Sequence, residues 1–179
     1  MKLMIIPFIF SFASPPEFRI NFGQDQAGQN WYVVNDGVMG GMSKSQLTIT
    51  ENSAILKGKV SLENNGGFAS FRSPFQVFDL SKYKSVEIKY RSSGHDIALV
   101  FALYKKWFEP KYKINLHETS GEWKTVNVDL SSAKEYRIAR ITGAYLKQDQ
   151  LSQIIRLGFI TNSKIEGEFQ FELDYLLFK

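Results

Sequence analysis

At 179 residues the chain has the length of one domain with a substantial core, since a domain takes about 150 residues. Hydrophobic residues at 44% and charged residues at 22% match ordinary globular proteins and exclude both a disordered tail and a multi-span membrane protein. The 22 basic residues against 18 acidic ones leave +4, a mild bias and no nucleic-acid signature, while the absence of cysteine excludes disulfides, thiolate metal sites and a cysteine nucleophile.

Lys2 precedes an apolar stretch from Leu3 to Phe12, and Ser11 and Ala13 occupy the small-residue positions that precede a cleavage point. Residues 1–13 therefore read as an export signal, which would place the mature chain in the periplasm or outside the cell; without it the expected location is the cytoplasm. The stretch is too short for a membrane span, which needs ~20 apolar residues, and Pro7, Pro15 and Pro16 speak against a core strand.

From residue 17 to 179 no composition shift or linker divides the chain, so a single domain is expected. Fifteen Phe, eight Tyr and three Trp favour pleated, half-buried surfaces. Strands are expected at Phe18 to Phe22, Trp31 to Val34, Gln46 to Thr50, Ala54 to Leu62, Phe68 to Phe75 and Ser85 to Arg91. More follow at Ile97 to Tyr104, Lys111 to His117, Trp123 to Leu130, Arg156 to Thr161 and Glu168 to Phe178.

Val86, Ile88 and Tyr90 alternate with polar residues, as do Tyr112, Ile114 and Leu116, so each strand has one wet face. The run Ile97 to Leu103 is apolar on both faces and is expected at the centre, covered by a layer or a loop. Phe169, Phe171, Leu173 and Tyr175 alternate in a closing strand. Only Asp149 to Ile155 has a helical pattern, and Ser131 to Gln150 reads as an irregular crossover between two sheets. The fold class is all-β, a sandwich with at most one or two short helices.

Two glycine-rich segments carry the most information. In Asn35 to Ser43, Asn-Asp-Gly makes one turn and Gly40-Gly41 permits a second, with Val38 and Met39 between them either presented as a tip for a ligand or, as preferred, folded over the sandwich end with Met39 buried. It matches neither a phosphate loop nor a dinucleotide fingerprint. The second, Asn64-Asn65-Gly66-Gly67, leads into a strand on which Phe68, Ser70 and Arg72 share one face. Arg72 either lies at a wet sheet surface or is held by a carboxylate, Asp36 or Glu63; an ion pair locking the two loops together is preferred to catalysis. Asp36, Met39, Asn65 and Arg72 are the candidate contact residues of these loops.

These segments, with Trp31 before them and Glu122 to Val126, Ile155 to Phe159 and Gly167 to Leu173 after them, resemble the complex I intermediate-associated protein 30 family. The resemblance implies a galactose-binding-domain-like β-sandwich of jelly-roll form. Mitochondrial members of that family are assembly factors that hold complex I intermediates as chaperones, so a protein partner is implied. The export-like N-terminus differs from an arginine- and serine-rich transit peptide, and the partner stays unassigned.

Catalytic signatures are missing. His95 and His117 have no histidine or carboxylate at metal-ligand spacing, no G-x-S-x-G elbow occurs, and no D-x-D-x-D run marks calcium. No cofactor is expected. The link Tyr104 to Lys113 interleaves aromatics with lysines, which could stack on a sugar and hold an anionic group, with Trp107 the candidate contact; alternatively its aromatics fold back as a lid over wet lysines. The leading expectation is a non-catalytic module that binds another protein, and the alternative is an exported carbohydrate-binding module using these aromatics.

Overall fold

The computed structural model describes residues 17–24, 30–138 and 140–179, so the expected export signal lies outside the described residues. The first strands are β1 (Phe18–Asn21), β2 (Tyr32–Asn35), β3 (Lys44–Ile49), β4 (Ala54–Val60), β5 (Ala69–Arg72), β6 (Ser85–Ser93) and β7 (Ile97–Ala102). They are followed by β8 (Lys111–Leu116), β9 (Lys124–Asp129), β10 (Lys134–Arg137), β11 (Arg140–Tyr145), β12 (Arg156–Thr161) and β13 (Gly167–Phe178). Helical structure among the described residues is confined to short 3-10 turns, the longest being Gln148–Gln153, where the helical pattern was expected.

Two antiparallel sheets result. One runs β3-β4-β13-β6-β9 with β1 also on β13; the other runs β11-β10-β8-β7-β12-β5-β2. Inward residues of both interdigitate in an aromatic core. Phe22 meets Trp31 edge-on at 4.9 Å, Phe71 stacks on Phe159 at 5.4 Å, and Phe159 reaches Phe171 across the sandwich at 5.1 Å. Large rings of this kind supply a large share of the apolar area that such a sandwich removes from water.

Three details depart from the sequence pattern. The pairing of β13 with β6 shifts register between Leu173 and Tyr175, so inward side chains change from 169, 171 and 173 to 176 and 178. Tyr175 consequently faces out, its ring under Arg19 and its hydroxyl donating to Glu87. The expected crossover does carry the chain from β9 to the other sheet, but it contains the hairpin β10–β11. The doubly apolar strand β7 is central in its sheet, and its outer face is covered by long cationic side chains rather than by a further layer.

Candidate functional site

The glycine loops are built around one carboxylate. Asp36, buried at 1% exposure, opens the 3-10 turn Asp36–Met39, which Gly40 closes in the left-handed region at φ 87°. Its Oδ1 accepts the Ser43 amide at 3.0 Å, and its Oδ2 accepts the Ser43 hydroxyl, the Gly67 amide at 2.6 Å and the Phe68 amide at 3.2 Å. A Cβ at Gly41 would overlap the Asp36 carboxyl carbon, and one at Gly66 would lie 2.6 Å from Oδ2. The glycines are there because the carboxylate is. Burial alone would push this carboxyl up; the Ser43 hydroxyl and the amides of Gly67, Phe68 and Ser43 outweigh it and hold the group below its ordinary value.

Asn65 sits on the second loop at φ 59°, and the neighbouring Asn64 side chain donates to the Gly40 carbonyl at 3.2 Å. The backbone of Met39 belongs to the first turn; its side chain lies outside the described residues. The loops are therefore tied by Asp36 to backbone amides and not by an ion pair to Arg72, which corrects the sequence expectation. The Asp36 carboxylate is compensated by four donors already in place, and the chain carries Arg72 to the opposite face.

That face holds the second arrangement. Strand parity puts Phe71, Phe101, Tyr112, Leu157 and Phe159 inside, so their neighbours point outward. Tyr32 pairs with Arg72, Arg72 with Gly158, Gly158 with Val100, and Val100 with Lys113, one continuous row across five strands. The adjacent row sets Arg156, Ala102 and Lys111 side by side. Small residues on β7 and β12 thus floor a trough, walled by Arg72 and Arg156 on one side and Lys111 and Lys113 on the other. Gly158 lets the strands lie close there, since a Cβ would come within 3.1 Å of the Arg72 side chain and of the Phe71 carbonyl.

Aromatic rings rim the trough. The guanidinium of Arg156 lies 3.3 Å over the Phe75 ring and donates to the Tyr32 hydroxyl at 2.6 Å. Arg72 Nε donates to the Ser70 hydroxyl, which itself donates to the Val34 carbonyl. Lys113 lies 4.6 Å from the centre of the Tyr136 ring. Trp107, 61% exposed, and Tyr104 stand at the mouth, and among the described residues no cation covers either ring. In the link from Tyr104 to Lys113 the rings of Tyr104, Trp107 and Phe108 stay exposed with Lys105 and Lys106, Tyr112 is buried in the core, and Lys111 and Lys113 are half-buried, so Trp107 does not fold back as a lid.

No carboxylate lines the trough, and no ion pair reaches its cations among the described residues. Burial lowers Lys111, with Arg72 and Arg156 adding repulsion; burial, then Lys111 and Lys164, lower Lys113 to about 8. Burial lowers Arg72 as well, with Arg156 next to it. Of the sequence candidates, Arg72 and Trp107 meet in this trough, whereas Asp36 and Asn65 belong to the loop end. Arg156, Tyr32 and Phe75 are additional; the signal that could have found the first two is strand parity, which sets Arg156 and Tyr32 on the same outward face as Arg72.

His95 is buried against Phe169, and burial pushes its imidazole down, with Asp96 opposing. His117 stands exposed at 3.5 Å from Asp96. Among the described residues no group of three His, Asp or Glu side chains is placed to hold a metal ion, and no helix is long and apolar enough to cross a membrane.

Residues 20–173 match the model of the family described as complex I intermediate-associated protein 30, and the chain belongs to that family. No curated protein matches it. Among solved structures, the chain is similar to the family 11 carbohydrate-binding module of a cellulosomal cellulase of Clostridium thermocellum, at 16% identity and TM-score 0.66, over 92% of this chain and 95% of that one. The same module in complex with a β-1,3-1,4-mixed-linked tetrasaccharide gives 13% identity and TM-score 0.61, over 89% and 94%. A family 29 carbohydrate-binding module gives 11% identity and TM-score 0.52, over 90% and 88%. These likenesses show the fold, a galactose-binding-like jelly-roll sandwich, as the sequence resemblance implied.

Proposed function

We propose that this member of the complex I intermediate-associated protein 30 family is a carbohydrate-binding module that works without catalysis, its binding surface the trough on the seven-stranded sheet. The observation that carries this reading is the pair of exposed rings, Trp107 and Tyr104, at the mouth of a trough floored by Val100, Ala102 and Gly158. A sugar ring laid on an aromatic face buries its C–H groups while its hydroxyls reach the walls. The neighbouring modules lend the fold alone at 11–16% identity, so the reading rests on this chain's own rings. An export signal at residues 1–13 would bring the module to where polysaccharides are met.

Trp107→Ala tests it. Losing one large aromatic contact removes about 1.5–3 kcal/mol, a fall of roughly tenfold or more in glycan affinity. The melting temperature should not move, because Trp107 is 61% exposed. A glycan array on which wild type and variant are equally inert removes the proposal.

A protein partner, the leading expectation from sequence, is favoured by a different observation. Strand β11 closes the seven-stranded sheet with every residue exposed, and Ile138, Ile141 and Tyr145 beside its open edge are 50–59% exposed. An edge strand with apolar side chains is a template for a strand from another protein. The double variant Ile141→Lys, Tyr145→Lys should lose any protein cross-linked by the wild type while keeping glycan binding. Retention of the same cross-linked protein by the variant ends this second reading.

A further inference from the structure

We propose that the trough selects an acidic glycan: a uronic acid ring stacks on Trp107 and its carboxylate enters between Arg72, Arg156 and Lys113. This rests on the carbohydrate reading and names the substrate class for the same site.

Donors and acceptors decide the ligand class. A neutral sugar presents hydroxyls that both donate and accept, so it is matched by side chains of both kinds. This trough supplies donors almost alone. Arginine and lysine have no acceptor, no Asp, Glu, Asn or Gln lines the trough, and the Ser70 hydroxyl is occupied by Val34 and Arg72. The Arg156 Nε is buried with no hydrogen-bond partner, a donor that the protein itself leaves unmet. Only an acceptor-rich, negatively charged group satisfies such walls, and a planar carboxylate fits a guanidinium in two parallel hydrogen bonds.

A single-stranded nucleic acid also combines bases on rings with phosphates on cations. Here, though, the Phe75 ring is covered by Arg156, the Tyr136 ring has Lys113 over it, and Tyr32 is engaged through its hydroxyl. Free stacking area remains only at Trp107 and Tyr104, and the cations gather at one place instead of following a strand's length. One ring with one anionic substituent matches that arrangement.

The test uses the whole chain in calorimetric titrations. Tetrasaccharides of galacturonate, mannuronate, guluronate and glucuronate are each paired with their methyl esters, beside a neutral mixed-linked β-glucan tetrasaccharide and a thymidine octanucleotide. The expected result is at least one acid bound about tenfold or more tighter than its ester, with that preference lost in Arg72→Gln/Arg156→Gln. One charge-assisted hydrogen bond corresponds to a factor of roughly 10 to 100. Lys113→Gln, which spares both arginines, should lower acid affinity in the same direction and keeps the test open if the double variant does not fold. Acids and esters bound alike, or only the neutral glucan bound, overturns the inference and leaves the carbohydrate reading standing. Binding of the octanucleotide alone, or of no probe at all, overturns both.

Discussion

Asp36→Ala is expected to lower the unfolding free energy by about 3–5 kcal/mol, because it strips four hydrogen bonds from a carboxylate that is 1% exposed. Each buried donor left without a partner costs ~1–3 kcal/mol, and the amides of Ser43, Gly67 and Phe68 have no other acceptor within the loops. With total stabilities of ~5–15 kcal/mol, the variant would sit near the edge of folding, and thermal or urea unfolding measures the loss. A midpoint within experimental error of wild type would mean that water replaces the carboxylate. Asp36→Asn keeps the shape but points an amide N–H₂ at donors, so it should recover only part of the loss.

The pH dependence follows from the same contacts. Because the folded carboxyl is held below its unfolded value, its contribution is full above the ordinary carboxylate range and is lost as pH falls through the lower folded value. In Asp36→Ala this part of the acid sensitivity should vanish. Gly41→Ala gives an independent check, since its Cβ would overlap the carboxyl carbon. That substitution should destabilise the wild type and cost less once Asp36 has become Ala, a coupling that a double-mutant cycle reads directly.

How far sequence reaches is visible in these two regions. Eleven strand positions follow from apolar or alternating runs bounded by turn residues, and the period of two is clearest in β6 and β8, where one face is buried. Strands β10 and β11 were not legible: every residue of β11 is exposed, so no apolar face marks it. The outward turn of Tyr175 escaped for another reason, since a bulge in β13 changes parity without any residue that announces it. At the loops the glycines pointed to close backbone approach, and the structure supplies the approaching group, Asp36. Arg72 was legible as a residue wanting a partner but not as one without it. Which carboxylate meets an arginine is set by the register of β5 against β2 and β12, and no local pattern encodes register between segments as far apart in the chain as Arg72 and Gly158.

Lys113→Met should stabilise the fold at neutral pH by about 1–3 kcal/mol while weakening the binding of an acidic ligand. Burial, then the charges of Lys111 and Lys164, hold the folded amine at about 8 against 10.5 for a free lysine. Each unit of such a gap is worth about 1.4 kcal/mol, and the part of the side chain that still reaches water lowers the total. The sign is that of a cation the fold disfavours. Below pH 8 both states carry the proton and the full cost is present; between 8 and 10.5 the folded state gives up its proton first, so wild-type stability rises with pH. The advantage of the methionine variant should accordingly be constant up to about pH 8 and vanish towards 10.5. Urea unfolding of both proteins across that range tests it, and an advantage independent of pH would assign the effect to packing alone. Lys113 donates a long hydrogen bond to Asn162 Oδ1 at 3.4 Å and lies over the Tyr136 ring, but among the described residues no carboxylate reaches it; a fold that keeps it beside Lys111 gives up stability, and an anion arriving from outside is the partner that restores it.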